Sequence, residues 1–335
     1  MPSKIYNETI NQHFLAQVEQ RLNAANPSAL PENQRIYEFE IMDRDARILR
    51  LVKDSGRSIE KTLSILDLFS FDVDPSQGIR ANFEGLFERY ERNLSDLTAA
   101  VMQNDASVAH NAMYPLFLAK MVNFIRNPYS IHKVLDTFGA LATVHPTDLE
   151  VCRVYERVLY GRRPQQKYLC DIFEITDEQY GAWLRVIFLL LERLKDGHVN
   201  MLEQCLSNLY LAKDVHTTVD VYRYDTERCL LCDRGTSTPL PQEHGSVFDF
   251  NLRGDAFIRY GFYKFNASIL RPPADVVASI MRGPKFVSED RHDNDLFQLG
   301  IFNQRAVDQA HSRVFCATKT PYGVTIAPTR LDDRA

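Results

Sequence analysis

Long apolar runs are missing from this chain. The longest strongly apolar stretch in its 335 residues is VIFLLL at 186–191, far short of the roughly 20 residues that span a bilayer as a helix. The opening residues, MPSKIYNETINQHF, hold no apolar core of a signal peptide. Cysteine is sparse, six in all. With no secretory signal, the expectation is a reducing cytoplasm and free thiols. Basic runs are missing too. No five Lys or Arg stand together, and the net charge is −5, so bulk charge does not steer the chain to phosphate backbones. Nucleic acid as a partner is therefore not indicated by charge, although a local basic groove stays open. There is no GxGxxG, GxxxxGKS/T, HExxH or GxSxG. Nucleotide-driven motors, common dehydrogenases, zincins and familiar serine hydrolases are thereby disfavoured. No repeat of fixed period and no low-complexity tract occurs.

What is present is the balance of a globular protein: 45% apolar and 25% charged residues, with 20 Phe, 15 Tyr and one Trp. The length suits one large domain or two ordinary ones. ETINQHFLAQVEQRLNA (8–24) places Phe14, Leu15, Val18 and Leu22 at helical spacing. RIYEFEIM and RILRLV then read as a β-hairpin across DRDA, although Ile36, Phe39 and Ile41 alternate imperfectly. A helical block follows. NFEGLFERYERNLSDLTAAVMQ puts Phe83, Leu86, Phe87, Tyr90, Leu94 and Leu97 on one face. SVAHNAMYPLFLAKMVNFIRN is a further helix, kinked or started by Pro115, and 129–143 and 148–160 are shorter ones. TDEQYGAWLRVIFLLLERLKDG closes the block. Thr176 with Gln179 reads as a capping box, Gly197 as a C-cap, and the stripe from Trp183 to Leu194 as a central core helix.

After about residue 214 the texture changes. TTVDVYRY, CLLC, VFDFNL, AFIRYGFY and FNASIL are short strand-like runs between Gly, Pro, Asp and Thr. PADVVASIMRG reads as a helix after Pro272, SEDRHDND as an acidic loop, and DLFQLGIFNQRAVDQAHSR as a last helix, with VFCAT and YGVTIA as closing strands. The fold class expected is α+β: an N-terminal β-hairpin, a predominantly helical middle, and a β-rich C-terminal part packed on the helices. Residues 1–213 form the mainly helical part and 214–330 the β-rich part, the two sharing one core.

QHFLAQVEQRLNA, RIYEFEI, NFEGLFERYE, NFIRNP, LLCDRGT and FNQRAVDQAHSRVFCA occur in the order of the motifs of a bacterial family known as domain of unknown function 4238, which the chain resembles across residues 12–317. The family opens with His-aromatic-x-Pro entering a helix, and here Ala16 stands at the Pro. Its strand motif ends Ser-Asp-Asn-Pro. Here Asp233 is kept and Arg234-Gly235 replaces Asn-Pro. The resemblance implies a lead to bacterial conflict or phage-defence loci, with an altered or lost site at those two motifs.

The chemistry candidates each have a bland reading beside the functional one. Cys229 and Cys232 make a CxxC, but no second hook completes a zinc site, and Leu-Leu between them suits a buried strand. No helix follows to lower a thiol pKa for redox work. Asp233, at the mouth of that strand, is either a ligand-facing carboxylate or an Asx-turn residue. His13 is either a satisfied structural histidine or, as the resemblance implies, functional. Glu84, Glu88 and Glu91 follow i, i+4, i+7 spacing, which suits a divalent metal or, with Arg89 and Arg92 interleaved, a solvated helix face. Asp290, His292, Asp293 and Asp295 are hard-metal ligand types lacking the Gly and closing Glu of a calcium loop.

Two functions follow. One is a sensing or protein-interaction component of a bacterial anti-phage defence or stress system, partnered by a second gene product. The other is a metal-dependent hydrolase, most plausibly a nuclease, with His13, Glu84 and Asp233 as catalytic groups and Asp233 and Glu88 holding Mg²⁺ or Mn²⁺.

Overall fold

Strand pairing begins earlier in the chain than its helical spacing suggests. The computed structural model describes residues 5–193, 198–237, 245–264, 273–276, 278, 285 and 287–328. Strands near the N-terminus, helices in the middle and sheets toward the C-terminus make the expected mixed α+β fold. Among the described residues no helix is long and apolar enough to cross a membrane. The chain divides into two compact units that interleave in sequence: Met1–Ala16, Leu63–Asn93 and Met121–Ser207 in the first, Gln17–Thr62, Leu94–Lys120 and Asn208–Ala335 in the second.

The first unit is helical around two short ladders. Asn11–His13 pairs antiparallel with Ser64–Leu66, and Ser70–Asp74 with Ile79–Asn82. The helix expected over 8–24 is thereby corrected: only Gln17–Leu22 is helical. The cause is tertiary. Gln12 is buried, its Oε1 accepts from Phe69 N at 2.5 Å, and its Nε2 donates to Ser70 Oγ at 3.2 Å, which holds this stretch extended. The core helix Asp177–Leu191 has the expected capping box, Gln179 N donating to Thr176 Oγ1 at 3.1 Å and Thr176 N to Gln179 Oε1 at 2.9 Å. It is buried almost all round. Its polar tips find backbone partners, Trp183 Nε1 on Ile125 O and Tyr180 OH on Leu68 O. Phe69, Phe71, Phe83 and Phe87 pack with Trp183 and Phe188 as a ring cluster.

The second unit carries two sheets. In one, the hairpin strands Arg35–Asp43 and Ile48–Leu51 are flanked by Thr325–Ile326 on one side and by Arg313–Cys316 and Leu231–Cys232 on the other. The first hairpin strand also carries a register slip, between Ile41 and Asp43. Cys232, Leu230, Phe39, Leu49, Val314 and Cys316 form a core with Ala306 and Val307 of the closing helix Leu296–Gln309. The other sheet runs Gly245–Arg253, Ala256–Lys264, Val215–Arg223 and Val287–Asp293, the last pair parallel.

Two further expectations change. The single helix from Phe83 is two, Glu84–Glu91 and Leu94–Val101, with the division between the units falling between them. The acidic loop is not a loop. Residues 287–293 are a strand whose charges meet cross-strand partners: Asp293 takes Arg223 at 2.8 and 3.0 Å, and His292 Nε2 lies 3.2 Å from Asp220 Oδ1. Asp295 then caps the closing helix by accepting from Gln298 N. Pro115 does not start its helix but lies inside Ala106–Arg126, as the kink alternative has it. The FNASIL strand and the Gly197 cap lie outside the described residues, as does most of the helix expected over 273–283.

Candidate functional site

The residues singled out by spacing and resemblance are placed as follows. His13 is a half-buried strand residue opposite Ser64 in the first unit. Glu84 opens the helix Glu84–Glu91, with its backbone N–H on Asn82 Oδ1 at 3.1 Å. Burial pushes its carboxyl up to about 7, against the pull of Arg126 and with the push of Glu91. Glu88, on the same stripe, is exposed and pairs with Arg92 at 3.1 Å. Asp233 is in the second unit and 1% exposed. Its Oδ1 accepts from His311 N at 2.6 Å, and its Oδ2 from Ser312 N and Arg313 N, both at 2.8 Å. Burial raises its pKa, while those three amides act the other way.

Asp233 thus fastens the entry to strand Arg313–Cys316 onto the turn after Leu231–Cys232. Its oxygens are committed to amides, and Glu88 is committed to Arg92. Among the described residues no three His, Cys, Asp or Glu side chains group as a metal site. Cys229, Cys232 and Cys316 are buried free thiols. Burial pushes Cys232 and Cys316 up to about 12 and raises Cys229 well above the ordinary thiol value.

A different site forms within the second unit. The helix Gln17–Leu22 presents Val18, Arg21 and Leu22, three and four residues apart and so on one face, to a cavity of about 600 Å³. Pro27, Pro31 and Gln34 line it from the loop before the hairpin, and Arg228 from the segment before Cys229. The turn Arg253-Gly254-Asp255, with Ala24, Ser95 and Ala317, completes the described wall.

That turn is pinned on both sides: Gly254 N donates to Leu22 O at 3.0 Å, and Gly254 O accepts from Cys229 N at 2.8 Å. A Cβ on Gly254 would sit 3.2 Å from Ala317 Cβ, so the close approach favours glycine. Asn303 of the closing helix holds the neighbouring strand end, donating to Arg228 O at 3.1 Å and accepting from Leu230 N at 2.7 Å.

The electrostatics of the cavity are lopsided. Arg253 is neutralised by Asp255 through two bonds, Nε to Oδ1 at 2.5 Å and Nη2 to Oδ2 at 3.1 Å. The hydrogen bonds of Arg21 and Arg228 go to uncharged acceptors: Arg21 Nη2 to Gln17 Oε1 at 2.9 Å, Arg228 Nη1 to Glu227 O at 2.8 Å and Asp225 O at 3.4 Å. Three arginines against one aspartate leave a surplus of two positive charges in the lining. Sequence reading missed this site because its arginines come from separate stretches, none of them in a basic run. No family model, curated protein or solved structure matches the chain.

Proposed function

We propose that the chain is a non-catalytic sensing component of a bacterial defence or stress system, acting in the cytoplasm with a partner protein encoded beside it and diverged from the family it resembles. One observation carries this reading: the cavity in the second unit has two guanidinium groups with no carboxylate partner among the described residues, which suits an anion. The hydrolase alternative has less support at Asp233, whose carboxylate accepts three backbone amides.

The test is a phage challenge of cells expressing the chain with its neighbouring gene. Protection is expected to need the chain and to be lost in the Arg21→Ala/Arg228→Ala double variant, with the thermal midpoint of the purified variant unchanged. Mg²⁺- or Mn²⁺-dependent cleavage of nucleic acid by the purified chain, or protection indifferent to the double variant, sinks the reading.

A further inference from the structure

We infer that the cavity binds a small phosphomonoester that also carries an O–H or N–H donor, the chemistry shared by nucleoside monophosphates and sugar phosphates. The inference rests on reading the cavity as a receptor. Charge sets the first requirement. With Arg253 satisfied by Asp255, Arg21 and Arg228 present two guanidinium groups uncompensated among the described residues. A phosphomonoester carries about −1.5 to −2 at pH 7 and offers three acceptor oxygens, which matches two forked donors better than a single carboxylate does. Arg21 also has its Nε buried without a hydrogen-bond partner among the described residues.

Gln34 sets the second requirement. It is 8% exposed and lines the cavity. Its Nε2 donates to Pro27 O at 3.0 Å and Ala29 O at 3.3 Å, which fixes which end of the amide is which. Its Oε1 is then buried with no partner among the described residues. A buried acceptor is costly unless a donor meets it, and a ligand hydroxyl or amine is such a donor. Val18, Leu22, Pro27 and Pro31 supply an apolar wall for the ligand's body. The volume of about 600 Å³ lies within the roughly 300–1,000 Å³ of small-molecule sites.

The test is calorimetric titration of the full chain with adenosine 5′-monophosphate and with glucose 6-phosphate in separate arms, beside adenosine, glucose and succinate. Binding is expected in at least one phosphate arm and absent for its unphosphorylated counterpart. Arg228→Lys, which keeps the charge but not the fork, is expected to weaken it about tenfold, and Gln34→Leu to weaken it with the thermal midpoint held. Equal binding of the unphosphorylated compound, or indifference to Arg228→Lys, overturns the inference. Arginine-dependent binding of succinate alone overturns it but leaves the receptor reading standing. Silence in every arm overturns both.

Discussion

Arg259 clasps Asp249 through two parallel bonds, Nε to Oδ1 at 2.8 Å and Nη2 to Oδ2 at 3.0 Å, and Asp249 is wholly buried. Arg305 of the closing helix reaches the same carboxylate at 3.0 Å. One buried charge thus joins the sheet strands Gly245–Arg253 and Ala256–Lys264 to the helix Leu296–Gln309.

Removing the centre of this triad leaves two arginines without their anion. Asp249→Asn is expected to destabilise the fold by about 3 kcal/mol, the low end for breaking a buried pair because both arginines keep partial access to water. Urea unfolding measures it, and a loss below about 1 kcal/mol would show that the triad contributes little.

Asp233 invites a structural prediction in place of a catalytic one. The carboxylate accepts three backbone N–H bonds. Asparagine keeps one oxygen and turns an NH₂ toward a donor. Asp233→Asn is expected to cost about 2 kcal/mol, read as a lower urea midpoint. An unchanged midpoint would return Asp233 to the list of functional candidates.

The thiols separate by burial. Cys205 is exposed, whereas Cys229, Cys232 and Cys316 are buried with raised pKa values. Iodoacetamide at pH 8 is expected to label Cys205 in the folded protein and the three buried thiols only after unfolding, as peptide mass mapping would show. A metal hook would behave differently: a chelator would unmask Cys229 and Cys232 without denaturant.

Legibility in the sequence followed locality. The helix Asp177–Leu191 was readable because its stripe and its cap are written within a few residues of one another. Residues 53–82 hold four short strands. One of these, SFDVD, carries a plain alternation, with Phe71 and Val73 buried. The stretch 8–24 was not readable, because Gln12 takes its conformation from Phe69 and Ser70, far along the chain. The arginine cavity was hidden for the same reason. Its charge surplus exists only when Arg21, Arg228, Arg253 and Asp255 are brought to one wall.

Glu84 shows what periodicity leaves out, and it yields a pH dependence. Glu84 and Glu88 share a helical stripe, yet Glu88 is solvated while burial pushes the Glu84 carboxyl from an ordinary 4.5 up to about 7. Its buried Oε1 has no hydrogen-bond partner among the described residues. Burial favours the neutral form, so the folded chain holds a proton that the unfolded chain releases near pH 4.5. The favourable state is therefore complete below about pH 4.5, and stability falls as pH rises through 7. The shift corresponds to about 3 kcal/mol, reduced to about 2 kcal/mol by solvent at the partly exposed edge of the residue. Glu84→Gln keeps the shape and removes the titration. Urea unfolding at pH 5 and pH 8 is expected to find the variant close to the parent at pH 5 and more stable than it at pH 8. A parent that gains on the variant as pH rises would mean that Glu84 is held charged by Arg126.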